Sequence, residues 1–97
     1  MPGWILQSAG DKPLTLRVPL DSVRTLGRTA RADFIVNAPL VSRIHCRLSA
    51  DASGGLQVED LGSTNGTLVN GKRVDRAALK DGDTLGVGRM DFTVSAT

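Results

Sequence analysis

The sequence predicts an all-β fold, a β-sandwich built from many short strands. Apolar and polar residues alternate with a period of two, turn residues recur about every 8 to 12 positions, and long helical patterns are missing. This combination is typical of two packed β-sheets. The length of 97 residues suits one domain, so we expect residues 1–97 to form a single module. Loops of a sandwich gather at its two ends, where a rigid scaffold presents binding residues.

Strands are predicted wherever apolar residues occupy every second position. These positions are Leu14, Leu16 and Val18, then Ile44, Cys46 and Leu48, then Leu56 and Val58, and finally Phe92 and Val94. The polar residues between them, including His45, are expected on the solvent-facing side of each strand. Residues 74–79 are the only segment that could form a helical turn, which is too short to alter the architecture.

Turn residues separate the predicted strands. Asn70-Gly71 is the strongest hairpin signal, because both residues tolerate a positive φ, and it predicts a hairpin of residues 67–69 and 72–74. Further turns are expected at residues 51–55, at Asp81-Gly82 and at Gly88-Arg89. The chain therefore reads as short strands joined by tight connections.

The charge balance and the cysteine count exclude several classes of protein. The chain has 12 Lys and Arg residues against 10 Asp and Glu, a net charge of +2 that is too small and dispersed for a nucleic-acid or membrane-binding surface. No segment approaches the roughly 20 apolar residues that span a bilayer.

A single cysteine, Cys46, cannot form an internal disulfide, and the first residues lack a signal-peptide pattern. We expect a cytoplasmic protein, while a nuclear location stays open.

Three segments at the ends of predicted strands combine small and polar residues. They are residues 26–29, 41–45 and 60–67. Together they supply an arginine fork, hydroxyl donors, an asparagine amide and flexible glycine backbone. These groups are suited to hold a phosphate and then an extended peptide.

In order and spacing, these segments resemble the signature of the forkhead-associated (FHA) domain family. The matching residues are Gly27-Arg28, Ser42-Arg43-Ile44-His45 and Gly62-Ser63-Thr64-Asn65-Gly66-Thr67, framed by Phe34-Ile35-Val36, Asp83-Thr84-Leu85 and Gly88. The resemblance is strongest over residues 23–94. It implies a sandwich of about eleven mostly antiparallel strands that recognises phosphothreonine through loops at one end.

The resemblance also implies a role for each matching position. Arg28 and Ser42 correspond to direct phosphate ligands, and Arg43 and Thr64 to positions that add contacts to the phosphate or the threonine. Asn65 corresponds to the asparagine that hydrogen-bonds the ligand backbone. The positions that correspond to structural support of the site are Gly27, His45 and Gly66.

Catalytic and metal-binding interpretations are weak. His45 and Cys46 are adjacent on a predicted strand and would point to opposite faces, so we do not expect a nucleophile–base pair. We expect His45 to hydrogen-bond loop backbone and fix the shape of the phosphate site, and Cys46 to be a small core residue. One histidine and one cysteine are too few for a structural zinc site. Without a convergent acid–base set, the sequence predicts no enzyme, no metal and no cofactor. Three aromatic residues and little net charge also argue against a nucleic-acid partner.

The expected partner is a phosphothreonine-containing protein or peptide, phosphorylated by a Ser/Thr kinase and bound by a monomer. A phosphate-independent interaction stays open, in which the same loops or a sheet face bind an unmodified partner or a second copy. Within residues 37–41, Leu40 and Val41 suggest an apolar contact that selects residues flanking the phosphothreonine.

Overall fold

Two β-sheets packed face to face contain the eleven strands of the computed structural model, which describes residues 2–97. In chain order the strands are β1 (Gly3–Ser8), β2 (Thr15–Pro19), β3 (Ser22–Gly27), β4 (Phe34–Ile35), β5 (Cys46–Ala50), β6 (Leu56–Asp60), β7 (Thr67–Val69), β8 (Lys72–Val74), β9 (Arg76–Leu79), β10 (Thr84–Val87) and β11 (Met90–Ala96). One sheet has the order β2-β1-β11-β10-β7-β8, and the other β4-β3-β5-β6-β9. Every pairing is antiparallel except that of β3 with β4. The predicted all-β sandwich is confirmed.

The inner faces of both sheets form the core, as the two-residue alternation predicts. The largest enclosed apolar side chains are those of Phe92, Leu6, Leu26, Leu48, Leu85, Val18, Val36, Val58, Val87 and Val94. Each contributes about 1.5–3 kcal/mol by leaving water. Leu14 and Ile44 depart from the pattern. Leu14 is 39% exposed, because β2 begins only at Thr15, and Ile44 is only half-buried, because it lies before the start of β5.

The helical turn considered for residues 74–79 is wrong. Val74 pairs with Thr67 in the first sheet, and Arg76 pairs with Glu59 in the second. The chain crosses between the sheets at Asp75, whose carbonyl accepts a hydrogen bond of 2.8 Å from the Asp60 N–H. Pairing with neighbouring strands outweighs the weak local preference of this segment.

The predicted turns are present where the sequence places them. Asn70 and Gly71 have φ values of 52° and 83°, and they connect β7 to β8 with Val69 opposite Lys72. Residues 51–55 connect β5 to β6, Asp81-Gly82 precedes β10, and Gly88-Arg89 connects β10 to β11.

Cross-strand register brings the three polar segments to one end of the sandwich. Leu26 lies opposite Cys46, and Cys46 lies opposite Asp60. The end of β3, the start of β5 and the end of β6 therefore lie side by side. The loops that follow β3 and β6 and the loop that precedes β5 must therefore meet at this end of the second sheet.

Gly3 and Thr97 lie at the opposite end of the sandwich. The Thr97 N–H donates a hydrogen bond of 2.9 Å to the carbonyl of Gly3, beside the pair formed by Trp4 and Ala96. Residues 2–97 include no helix that is long and apolar enough to cross a membrane.

Candidate functional site

An open groove of about 670 Å³ lies between the three polar segments, which we call the first loop (residues 26–29), the second loop (residues 41–45) and the third loop (residues 60–67). Its lining includes all five residues that the resemblance assigns to ligand contact: Arg28, Ser42, Arg43, Thr64 and Asn65. Pro39, Leu40, Val41, Ile44 and Gly62 complete the wall. The groove thus combines two guanidinium groups, two hydroxyls and an amide with an apolar margin.

Arg28 is anchored to the second loop by its own backbone and side chain. Its N–H donates to the carbonyl of Ser42 at 2.9 Å, and its Nε donates to the carbonyl of Val41 at 3.0 Å. The ion pairs formed among residues 2–96 are those of Glu59 with Arg47 and Arg76, and neither includes Arg28. The exposed guanidinium of Arg28 therefore keeps its charge available to an anion in the groove.

Gly27 allows the first and second loops to touch. A Cβ at this position would lie 2.1 Å from the carbonyl oxygen of Arg43, well inside contact distance. The same carbonyl accepts hydrogen bonds from the backbone N–H and hydroxyl of Thr29, at 3.4 and 3.3 Å. Any larger residue at 27 would push the segment that contains Ser42 and Arg43 away from Arg28.

Ser42 is oriented by the third loop. Its Oγ accepts a hydrogen bond of 3.0 Å from the Thr64 N–H. Because that bond uses an oxygen lone pair, the hydroxyl hydrogen of Ser42 can be donated to an acceptor in the groove. The side chains of Arg43 and Thr64 are exposed beside it.

His45 is fully buried beneath the groove, and not on a solvent-facing side as the alternation suggests. It precedes β5, where the second and third loops cover it. Its Nδ1 accepts from the Ser42 N–H at 3.1 Å, and its Nε2 bonds the carbonyl of Gly66 at 2.9 Å. Since one partner only donates and the other only accepts, the ring hydrogen must reside on Nε2.

Asn65 lies exposed at the other margin of the groove. Its Nδ2 donates to the carbonyl of Leu40 at 3.1 Å. Leu40 has a φ of 70° and is 46% exposed, and a Cβ at Gly88 would lie 3.0 Å from the carbonyl of Pro39. The turn between β10 and β11 therefore supports the segment that presents Leu40.

Asp60 organises the third loop, although it was not among the predicted site residues. Its carboxylate accepts hydrogen bonds from the hydroxyls of Ser63 and Thr67 and from the N–H groups of Gly62 and Ser63. Burial raises its pKa, but the hydrogen bonds from Ser63 and Thr67 outweigh burial and hold the pKa below the usual range. An aspartate followed two and three residues later by Gly and Ser is a local turn signal that could have identified it.

Cys46 is a core residue. Burial, with the carboxylate of Asp60 as a second cause, raises the pKa of its thiol to about 12. At neutral pH the group is an uncharged thiol, which is a poor nucleophile. The hydrogen bonds of His45 go to Ser42 and Gly66, so the imidazole does not serve Cys46 as a base.

The fold and the groove define a class of protein, a β-sandwich that carries a cationic, hydrogen-bonding groove on the loops at one end. The FHA domain family model matches residues 24–88, and the chain belongs to that family. FHA domains are phosphopeptide-binding interaction modules and not enzymes.

Two curated relatives come from mycobacteria. The chain is 42% identical over 79 residues to the ABC transporter ATP-binding/permease protein Rv1747 of Mycobacterium tuberculosis, a match that covers 81% of this chain and 9% of the relative. It is 40% identical over 64 residues to the glycogen accumulation regulator GarA of Mycolicibacterium smegmatis. This match covers 66% of the present chain and 40% of GarA. The chain thus spans less than half the length of either relative.

Solved structures share the whole sandwich. One comes from a structural and functional analysis of phosphothreonine-dependent FHA domain interactions, with a TM-score of 0.88, 30% identity and coverage of 96% and 95% of the two chains. Another is the FhaA FHA domain complexed with the intracellular domain of Rv3910, with a TM-score of 0.85, 31% identity and coverage of 94% and 98%.

Proposed function

We propose that this domain is a phosphothreonine-dependent protein-interaction module of kinase signalling, which binds a phosphorylated segment of a partner in the loop groove. The convergence of Arg28 and Ser42 on one groove, each held by hydrogen bonds from neighbouring loops, carries this proposal. Membership of the FHA family and the solved phosphothreonine-dependent relative support it.

The groove offers donors that match a phosphate. A phosphothreonine carries about −1.5 to −2 charges at neutral pH and three strong acceptor oxygens. The guanidinium of Arg28 and the hydroxyl of Ser42 bind it directly, and the exposed side chains of Arg43 and Thr64 add further contacts. Charge-assisted hydrogen bonds are worth about 1.5–3 kcal/mol each, so two or three of them dominate the affinity of a short peptide.

Asn65 binds the ligand's backbone. One hydrogen of its Nδ2 is used by the carbonyl of Leu40, which leaves the second hydrogen and the Oδ1 for an extended peptide. Gly27, His45 and Gly66 support the site without touching the ligand, because they fix the positions of the three loops.

Apolar residues of the groove provide selectivity. Ile44 lines the groove above the buried Val41, and we assign to it the contact with the methyl group that distinguishes phosphothreonine from phosphoserine, worth about 0.8 kcal/mol for one buried carbon. The exposed side chain of Leu40 selects an apolar residue that flanks the phosphothreonine.

The domain binds its partner and does not catalyse a reaction, as is usual for its family. Residues 1–97 form a single domain, which is monomeric and acts in the cytoplasm. Its partner is a protein that a Ser/Thr kinase has phosphorylated. The phosphate-independent alternative makes a different prediction, namely equal binding of phosphorylated and unmodified peptides or concentration-dependent self-association.

A peptide titration tests the proposal. An oriented phosphothreonine library selects a ligand, and calorimetry then compares its phosphothreonine, phosphoserine and unmodified forms. We expect the phosphothreonine form to bind most tightly, the phosphoserine form at least about fourfold more weakly, and the unmodified form not measurably. Arg28→Ala should lose measurable binding. Arg17→Ala is the matched control, because Arg17 is an exposed arginine on β2 of the other sheet. Equal affinity for phosphorylated and unmodified peptides would contradict the proposal.

A further inference from the structure

The chain contains two Asn-Gly dipeptides five positions apart, Asn65-Gly66 in the candidate site and Asn70-Gly71 in the β7–β8 hairpin. Asparagine is a chemically labile residue, and a following glycine offers the least steric protection. The glycine nitrogen can attack Cγ of the asparagine side chain. The new N–Cγ bond replaces the bond to Nδ2, ammonia leaves with the proton of the glycine nitrogen, and water opens the resulting succinimide to aspartate or isoaspartate.

The attacking nitrogen is restrained at the first dipeptide. Gly66 is buried, and its N–H donates to the Oγ of Ser63 at 2.9 Å. The hydroxyl of Ser63 donates in turn to the carboxylate of Asp60. The side chain of Asn65, by contrast, is exposed and is held by its bond to the carbonyl of Leu40. At this dipeptide the structure restrains the nucleophile more than the amide.

The reverse holds at the second dipeptide. Both side-chain atoms of Asn70 are bound, since Nδ2 donates to Asp83 at 3.0 Å and Oδ1 accepts from the Thr84 N–H at 2.9 Å. Its backbone is fixed at a φ of 52° in the hairpin turn. Gly71 is exposed. Here the structure restrains the amide that would be attacked.

We propose that Asn65, whose side chain is exposed, is open to spontaneous intramolecular deamidation, and that Ser63 slows this reaction by holding the N–H of Gly66, the nucleophile. Conversion replaces an amide donor by a carboxylate that faces the carbonyl of Leu40. Isoaspartate also lengthens the backbone by one carbon between Thr64 and Gly66. Both products remove the groove's backbone-binding group and place a negative charge beside the phosphate position, which is a consequence that rests on the proposed function.

Peptide mapping by mass spectrometry tests the rate control. Wild-type protein, Ser63→Ala and Asp83→Ala are incubated at mildly alkaline pH, and the conversion of each asparagine is followed over time. We expect Ser63→Ala to convert Asn65 about fivefold faster with Asn70 unchanged, the factor for losing one ordinary hydrogen bond. Asp83→Ala should accelerate Asn70 with Asn65 unchanged. Ser63→Thr, which retains a hydroxyl, should behave as the wild type.

Two results would overturn the proposal. One is an unchanged rate at Asn65 in folded Ser63→Ala, and the other is equal acceleration of both asparagines, which is the mark of general unfolding.

A binding measurement separates this inference from the proposed function. Protein converted at Asn65 is purified by charge and titrated with the phosphothreonine peptide, beside protein converted at Asn70. We expect loss of binding only after conversion of Asn65. Wild-type affinity of that form would refute the functional consequence. If unmodified protein does not bind the phosphopeptide at all, the proposed function fails while the conversion rates still decide the role of Ser63.

Discussion

The imidazole of His45 joins two of the groove's loops through its two ring nitrogens. Its partners, the Ser42 N–H and the Gly66 carbonyl, belong to two loops that are far apart in the chain. A side chain without exposed surface thereby determines the relative position of Ser42 and the loop that contains Asn65.

At this residue we predict that His45→Ala weakens both folding and binding. The Ser42 N–H and the Gly66 carbonyl lose their partners, and each buried unpaired group costs about 1–3 kcal/mol. Urea denaturation and titration with the phosphothreonine peptide measure the two effects. Unchanged affinity in the folded variant would mean that the loops keep their positions without the imidazole.

Cys46 provides a second test at the residue scale. Its thiol is buried with a pKa raised from 9.0 to about 12, so we predict slow labelling by a thiol reagent in the native protein and rapid labelling in denaturant. The unfolded chain loses the thiol proton first, so this group also makes the fold less stable as pH rises above about 9. Equally fast labelling with and without denaturant would contradict its burial.

At the scale of elements, strand β6 ends in two carboxylates with different roles. Glu59 lies on the outer face of the sheet and pairs with Arg47 and Arg76, and hydrogen bonds from these two arginines lower its pKa. Asp60 turns into the third loop and accepts four hydrogen bonds there. Surface ion pairs contribute little to stability, whereas a carboxylate that holds a loop contributes more.

We therefore predict that Asp60→Asn lowers the free energy of unfolding by about 2 kcal/mol, and that Glu59→Gln, its matched control, lowers it less. The folded pKa of Asp60 lies below its unfolded value, so its contribution is present at neutral pH and disappears as pH falls through the acid range. Denaturation at several pH values should show a weaker acid dependence in Asp60→Asn. Equal losses in the two variants would contradict the assigned roles.

The β7–β8 hairpin gives a prediction of its own. Two hydrogen bonds lower the pKa of Asp83. The larger effect comes from the side chain of Asn70 and the smaller from the Lys80 N–H. Asn70→Asp replaces that donor by a second carboxylate, so we predict a lower melting temperature at pH 7 and a smaller loss below about pH 4, where one carboxyl is protonated. Asn37→Asp, at an exposed loop position, controls for the added charge. A loss independent of pH would exclude repulsion as the cause.

On the scale of the whole molecule, the proposed function makes binding depend on the charge of the ligand. The second ionisation of a phosphate ester has a pKa of about 6. Affinity for the phosphothreonine peptide should therefore rise as pH increases through 6 and level off above 7, which calorimetry at fixed ionic strength can measure. A flat profile across this range would show that the dianion is not the recognised form.

The sequence was sufficient for the parts of the molecule that depend on local chemistry. Alternation predicted the strands around Val58 and Val94, and Asn70-Gly71 predicted the hairpin with its register. Alternation failed at residues 74–79 and at the face on which His45 lies, where the outcome depends on which distant strand or loop lies alongside. The hydrogen bonds expected from His45 to loop backbone are present. Such contacts join positions far apart in the chain, so short-range patterns do not contain them.

In the candidate site, too, local sequence patterns identified the residues but not the long-range contacts that orient them. Three short motifs identified five groove residues, and the structure brings them together. The hydrogen bonds that orient them, such as that from the Thr64 N–H to Ser42 and those to Asp60, became visible only in three dimensions.

The neighbouring chain ends have a mechanical consequence. Gly3 and Thr97 meet on adjacent antiparallel strands at the end of the sandwich remote from the groove. A tension that draws the two ends apart acts across the strands, so it breaks their hydrogen bonds one after another, starting at Trp4 and Ala96 and reaching Ser8 and Phe92 last. In a domain pulled at both ends, the strand pairs beside Gly3 and Thr97 would thus separate before those nearer the groove.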